Sequence, residues 1–470
     1  MNWTIVLLVV GFFAYLVSIC YFSILRFTTF NAEYYDLGIM TQVVHNSSLG
    51  RIFSMTLPET ILNTTRGAVH LDPLILITVP FYKIFPSPIT LLIIQTAFLA
   101  LGGILIYLIA KKIGLDEKWS VLVSYCWWLY PPIEWSNMYD FHAVVLGGVL
   151  MLGVVLADLS GKRNIGMLIS LLVLISKEQA GLVVGMYYLF IWWQMGMKKK
   201  ENLALLMWSM IAFIYALGAM FVVIPHLRGG SHFALERYQY SKVPLEFLGQ
   251  IFSNIFNFTS IETGLVILLG GGWIGLLGYI WMFPALPDLA INLLSQAEGM
   301  KGIYHHYSAL TTPFVFLSII FGLKKVLDKN FVSREVLATI FIIGILINSL
   351  LFSPLPYSKK TDINLINRRL SKESILLIKN WQSLLKSDEA KLSVTNRLAP
   401  HFAQRKTLSR FPAGSEGRVD YVMILKSDIN SEWLEPEKSV GAYLRLHNDK
   451  IYSKISENEE LELWKLKLEK

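Results

Sequence analysis

The sequence predicts a mainly α-helical, polytopic membrane bundle of about eleven spans, followed by a small C-terminal α/β domain outside the membrane. Three observations carry that expectation. Hydrophobic residues make up 54% of the chain and charged residues only 16%, against about 25% charged in a soluble globular domain. The apolar residues come in long runs, several near the ~20 that a helix needs to cross ~30 Å of hydrocarbon. The excess of basic residues, a formal charge of +8, stands mostly in short clusters at the ends of those runs, which is how a membrane protein encodes orientation and gives no argument for nucleic acid. The mean hydropathy of +0.49 agrees. Cys20 and Cys126 both lie in apolar runs and imply neither a disulfide framework nor a thiolate metal site.

The first run, Trp3 to Leu25, has no charged residue. Without a basic n-region or a small-residue cleavage site, it reads as a retained span. The first outer loop follows, residues 26–88. Within it Leu71 to Phe85 is apolar but broken by Pro73, Pro80 and Lys83, the pattern of a half-inserted or interfacial helix. Further runs are Ile89 to Ala110, Trp119 to Ile133, Ala143 to Leu156, Ile165 to Ile175, Gly181 to Trp193 and Leu203 to Ile224. A polar loop from His226 to about Asn257 separates these from Ile261 to Phe283 and Leu286 to Leu294, a pair joined at Pro284. Tyr307 to Leu323 and Val336 to Phe352 complete the set.

Positive charge marks cytoplasmic loops. With Lys111-Lys112 inside, strict alternation also places Lys162-Arg163, Lys198 to Lys200 and Lys324-Lys325 inside. The N-terminus is then cytoplasmic and the C-terminal segment extracytoplasmic. Three N-glycosylation patterns, Asn46-Ser47-Ser48, Asn63-Thr64-Thr65 and Asn257-Phe258-Thr259, fall in loops that this topology puts outside. The character changes at about Ser353, dividing the chain into a transmembrane domain, 1–353, and a soluble domain, 354–470. In the latter, Ser371 to Leu385 has helical spacing. Lys391 to Thr395, Thr407 to Phe411 and Val419 to Leu425 read as strands, and Tyr452 to Leu468 as a hairpin around Glu457 to Glu460.

An ionisable side chain at mid-bilayer costs ~2.5–3.5 kcal/mol on insertion scales, so charges within or beside spans are functional candidates. Most of them here fall on the predicted outer side. They are Glu33 with Asp36, His70 with Asp72, Glu134, Asp140 with His142, Lys177 with Glu178, and His305-His306-Tyr307. Six chain-distant segments that deliver carboxylate, imidazole or ammonium to one face predict a shared polar pocket. Lys177 stands on the outer side, against the positive-inside trend, which favours a specific role over snorkelling. Adjacent residues on a helix do not face each other, so Lys177 or Glu178 is expected to pair with another segment. Asp140 and His142 face one cleft if their segment is extended. Arg228 beside Gly229-Gly230 fits phosphate oxygens bidentately. Asp288 either caps its helix or lines the cavity. Carboxylates and imidazoles at Asp36, Asp140 and His142 are possible ligands of a divalent cation, although no compact metal motif is present. The sequence has neither a P-loop nor a Rossmann glycine pattern, which argues against direct nucleotide use.

Several motifs recur together: Tyr35-Asp36-Leu37-Gly38, His70-Leu71-Asp72-Pro73-Leu74, Tyr139-Asp140-Phe141-His142, Lys177-Glu178, Ala285-Leu286-Pro287-Asp288-Leu289 and His306-Tyr307-Ser308-Ala309. In this order they resemble the prokaryotic membrane family called domain of unknown function 2079, itself similar to integral-membrane glycosyltransferases of the C-type (GT-C) fold. The resemblance implies a polyprenyl-phosphate-linked sugar donor in the membrane lipid bilayer and a glycan, protein or lipid acceptor. It also implies a catalytic acidic residue in the first outward loop, and Asp36 matches that position. Glu33, His70, Asp72, Asp140, His142, Lys177, Glu178, Arg228, His306 and Tyr307 are the expected substrate-binding set. Gln179 departs from the family pattern, in which an acidic residue commonly follows the Glu, and this weighs against a metal or donor role there. The alternative function is a multi-spanning transporter or lipid flippase, for which Pro131-Pro132 and Gly270-Gly271-Gly272 with Pro284 supply broken segments in both halves.

Overall fold

Apolar runs become helices because a backbone in hydrocarbon must satisfy its hydrogen bonds within the segment, and every run named above carries helix. The computed structural model describes residues 3–196, 202–330, 332–361, 370–430, 436–448 and 450–467. The basic cluster at Lys198 to Lys200 lies outside the described residues. Among the described residues five helices are long and apolar enough to cross a membrane: Trp3–Thr28, Pro88–Ile113, Leu203–Arg228, Phe258–Leu293 and Arg334–Phe352. Shorter apolar helices occupy Pro73–Ile84, Ala143–Leu159, Arg163–Leu174 and Ala180–Gln194. The expected half-inserted segment is thus helical, beginning as a 3-10 turn at Pro73–Thr78.

Two boundaries differ from expectation. The run from Trp119 stops at Trp128, and a separate helix, Pro131–Met138, starts with its prolines in the first turn, where a missing N–H costs nothing. The long helix from Phe258 bends at Gly270 and Gly271 rather than at Pro284. Gly271 has φ +100°, a conformation that only glycine adopts at low cost. Pro284 sits in the 3-10 stretch Leu276–Ala285, which runs straight into Leu286–Leu293.

The chain forms two compact units. One comprises residues 1–21, 69–74 and 95–362; the other 22–68, 75–94 and 363–470. In the first, helices approach closely where side chains are absent. Trp127 and Trp128 lie over Gly102 and Gly103, where an added Cβ would sit within 2.4 Å and 2.3 Å of the indoles. Their indole N–H groups donate to the carbonyls of Leu99 (2.8 Å) and Ala100 (3.0 Å). Gly147 and Gly148 of helix Ala143–Leu159 likewise admit Ser176 and the Ala309 carbonyl.

The second unit is built on a five-stranded sheet. Its strands are β3 (Leu392–Val394), β4 (Leu408–Arg410), β5 (Tyr421–Leu425), β6 (Tyr452–Glu457) and β7 (Leu461–Leu466), in the order β4-β3-β5-β7-β6. β3 is parallel to β4 and β5, while β5-β7 and β6-β7 are antiparallel. All five strands fall where the sequence predicts them. The sequence reading contains no helix at Pro436–Asn448, which buries only Ser439, Ala442 and Leu446. The loop after the first span folds with this sheet. Its own hairpin pairs β1 (Ser54–Thr56) with β2 (Asn63–Thr65). The Thr56 hydroxyl accepts from the Leu408 amide at 3.1 Å, and Asn63 donates to Thr407 at 2.9 Å. Arg51 forms an ion pair with Asp388 at 2.5 Å. Apart from residues 69–74, the loop that the sequence assigns to the transmembrane domain therefore shares a compact unit with the tail, where its polar groups find their partners.

Candidate functional site

In the helical unit the turn between Arg163–Leu174 and Ala180–Gln194 presents Lys177, Glu178 and Gln179. Glu178 is only 3% exposed, and a buried carboxylate requires partners. It has three. His70 Nδ1 lies 2.7 Å from Oε1, the Leu71 amide donates to Oε2 at 3.1 Å, and His232 Nε2 lies 3.6 Å from Oε1. His232 Nδ1 accepts from the Ala234 amide at 3.1 Å, so its ring proton is on Nε2 and points at the carboxylate. Burial works against the charge on Glu178. The neighbouring His70, the bonds from His232 and His70, and the Lys177 ammonium outweigh it and hold the carboxyl well below its usual range. The Leu74 amide, donating to the Ile175 carbonyl at 2.9 Å, fixes the 70–74 segment beside this turn.

Gln179 explains its own departure from the family pattern. Its amide donates to Asp288 Oδ1 at 2.9 Å, while the Thr311 hydroxyl donates to Oδ2 at 2.8 Å. An acid at 179 would repel Asp288. Asp288 thus ties the turn to helix Leu286–Leu293 and to the segment before helix Thr312–Lys329.

A second group continues from the first through Tyr307. The Lys177 ammonium lies 5.6 Å from the Tyr307 ring centre, and the His306 and Tyr307 rings are 4.5 Å apart. His306 stacks on His142 at 3.6 Å, and Tyr139 packs edge-on against His305 at 4.3 Å. Asn292 donates to the Tyr307 carbonyl at 3.0 Å and sets that segment. His142 and Asp140 are placed by Gln95, whose fully buried amide donates to the Asp140 carbonyl at 2.7 Å and accepts from the His142 amide at 2.8 Å. The Asp140-Phe141-His142 segment is not simply extended. Asp140 has φ +61°, so the strict alternation expected there fails, although both side chains are buried.

Arg228 reaches the group through an aromatic ring. Its guanidinium lies 5.4 Å from Phe233, which packs at 5.3 Å from His70 and 5.2 Å from His232. Arg237 lies 5.6 Å from the same ring. Asp72 is buried and adds negative potential at Lys177. His70, Asp72, Asp140, His142, Lys177, Glu178, Arg228, His306 and Tyr307 thus all belong to the helical unit, as does Glu134, which bonds separately to Ser353 and Tyr357. His232, Phe233, Arg237 and Gln95 are absent from the sequence-derived set. His232 sits in a polar loop with no periodicity to mark it, while an uncharged glutamine in mid-span is the signal that points to Gln95. Among the described residues no three His, Cys, Asp or Glu side chains converge to hold a metal ion.

Glu33 and Asp36 belong to the sheet-containing unit. Residues Tyr34–Gly38 form a single π-turn, closed by the Gly38 amide on the Glu33 carbonyl at 3.1 Å, an irregularity frequent at functional sites. Tyr34 is fully buried. Its amide donates to Asn396 at 3.0 Å and its hydroxyl to the Leu408 carbonyl at 2.5 Å. Asp36, two residues later, is half-buried. Burial raises the Glu33 carboxyl, with Arg26 and Asn396 working against it.

The family model described as Predicted membrane protein (DUF2079) matches residues 26–463. The chain belongs to this family. No curated protein matches this DUF2079 chain. Among solved structures it is similar to the arabinofuranosyltransferase AftD from Mycobacteria, with 9% identity and a TM-score of 0.56 over 99% of this chain and 41% of that one. The DUF2079 chain therefore spans less than half of AftD, and the likeness is one of fold. The Archaeoglobus fulgidus oligosaccharyltransferase matches over 95% of this chain and 73% of that one, with 11% identity and a TM-score of 0.44. The fold of this DUF2079 member is GT-C-like.

Proposed function

We propose that this protein is an integral-membrane glycosyltransferase that moves a sugar from a polyprenyl-phosphate-linked donor to an acceptor hydroxyl on the extracytoplasmic face. The observation that carries the reading is the half-buried carboxylate of Asp36, set in a π-turn just after the first span of a GT-C-like fold. Asp36 acts as general base. It takes the acceptor proton as that oxygen attacks the anomeric carbon. The bond from that carbon to the phosphate oxygen breaks, and the lipid phosphate leaves from the opposite face with inversion.

The departing phosphate gains negative charge and needs fixed positive potential. Within the helical unit, Lys177, Arg228 and His142 are groups of the kind that bind a lipid phosphate. Burial lowers the Lys177 ammonium from its ordinary value, so this cation is held in a poorly solvated place where an anion replaces the missing water. The same reading takes about eleven membrane crossings, a cytoplasmic N-terminus and an extracytoplasmic tail from the basic clusters.

The test is sugar transfer from a radiolabelled polyprenyl-phosphate sugar by reconstituted protein, comparing wild type with Asp36→Asn. The expected result is product with the wild type and a loss of at least about a hundredfold with the variant. Near-normal transfer by a folded Asp36→Asn protein would overturn the assignment of the base. Movement of labelled lipid across the bilayer with no covalent product would instead favour transport.

A further inference from the structure

The sheet-containing unit holds a cavity of about 820 Å³ lined by none of the residues assigned a part in the transfer reaction. This volume lies in the ~300–1,000 Å³ range of small-ligand sites, enough for a few sugar rings. One wall is a face of helix Pro436–Asn448, where Lys438, Ala442 and Arg445 recur at helical spacing. Arg410, Arg418 and Tyr452 also line the cavity. Four cationic side chains thus line the cavity against two carboxylates, Glu59 and Glu416. Both carboxylates are engaged, Glu416 by Arg418 and Glu59 by the Tyr35 hydroxyl.

Arg410 has a preorganised setting. It is buried, and its guanidinium lies 5.2 Å from the Tyr35 ring centre. A planar guanidinium packed on an aromatic face has a fixed orientation, and its fork geometry matches that of a planar oxyanion. Tyr35, against which the lining residue Arg410 packs, is the residue before Asp36 in the same turn. Tyr452, which also lines the cavity, is fixed by donating its hydroxyl to the Val419 carbonyl at 2.9 Å. Ala442 and Leu446 supply an apolar surface of the kind on which sugar C–H faces pack.

We infer that this cavity is the acceptor subsite and that it takes an anionic saccharide, one carrying carboxylate or phosphate groups. The inference rests on the glycosyltransferase reading, whose acceptor it specifies. The anionic group binds at Arg410, with Lys438 and Arg445 at the rim, and the sugar rings lie along Ala442, Leu446 and Tyr452.

Binding to the full-length protein in nanodiscs is measured by titration calorimetry with four probes: trigalacturonate, its methyl ester, glucose 6-phosphate and inorganic phosphate. At least one anionic saccharide is expected to bind at least about tenfold more tightly than the methyl ester and than inorganic phosphate, and to weaken with salt. Lys438→Glu with Arg445→Glu, both at exposed rim positions, is expected to weaken that binding about tenfold or more and leave thermal stability unchanged. Arg410→Lys, which keeps the charge and loses the fork, weakens it as well. Inorganic phosphate binding as tightly as both saccharides overturns the proposal in favour of a simple phosphate site. Indifference of the anionic probes to the rim reversal, or equal binding of the methyl ester, also overturns it.

The Asp36→Asn protein separates this inference from the one it rests on. Asp36→Asn that binds the probe and still transfers sugar defeats the base and spares the cavity. Asp36-dependent transfer to neutral acceptors only, without anionic binding, defeats the cavity and spares the base.

Discussion

Lowering the pH from about 7.5 to about 5 loosens the sheet-containing unit at His401, and the size of the effect follows from where that ring sits. His401 lies between Phe27, at 4.3 Å and 12°, and Phe30, at 3.9 Å and 24°. Its Nε2 proton is donated to the Phe27 carbonyl at 3.1 Å. Burial between the rings pushes the imidazole from 6.5 down to about 3, with that hydrogen bond opposing the shift. A folded-state value below the unfolded one means that the unfolded chain binds the extra proton between about 6.5 and about 3. Stability in this window therefore rises with pH. It is fully present above about 6.5 and is lost as the pH falls. At about pH 5 the loss is ~2 kcal/mol, or about thirtyfold in the opening equilibrium. His45 is also lowered, by burial against the opposing charge of Asp388, so a control must isolate His401. His401→Phe fills the same slot and cannot be protonated. It costs ~1 kcal/mol at neutral pH for the lost hydrogen bond but should not suffer the further acid loss. Hydrogen–deuterium exchange of residues 396–411, corrected for the intrinsic pH dependence, reads the difference. Equal acid-induced loss of protection in the two proteins would refute the reasoning.

Three further expectations test how the sites are held. Gln95→Leu keeps the volume but strips partners from the buried Asp140 carbonyl and His142 amide, a cost of about 2–5 kcal/mol, visible as a lower melting temperature in detergent; an unchanged melt would show that the loop holds itself. Tyr34→Phe removes the hydroxyl that reaches the Leu408 carbonyl and should cost about 1–3 kcal/mol, with exchange rising at residues 408–410 before it rises in the helices. Gly148→Ala drives a methyl to 2.3 Å from the Ala309 carbonyl and should destabilise by about 1–3 kcal/mol, whereas Gly264→Ala, with open space around it, should not. Thermal unfolding of the pair decides that comparison.

The long apolar helices and the strands of the tail sheet are legible in the chain because both are written in local patterns, whereas helix Pro436–Asn448, which buries few apolar residues, is not. A run such as Pro88–Ile113 is a helix wherever the rest of the chain lies, since hydrocarbon leaves its amides no other partner. Local chemistry likewise marked Lys177 and Glu178 as charges with a purpose. The tertiary structure decided who their partners are. Nothing near Glu178 in sequence announces His70 or His232, and Gln179 shows its role only once Asp288 lies 2.9 Å away. It also decided that the loop bearing Asp36 folds with residues more than three hundred positions later, through Tyr34 to Leu408 and Arg51 to Asp388. Such pairings depend on long-range closure, which leaves no periodicity for a reader of the chain to find. The bend at Gly271 belongs to the same class. Its three glycines permit a bend, and only the packing of Tyr130 and Phe341 against Gly270 and Gly271 selects the place.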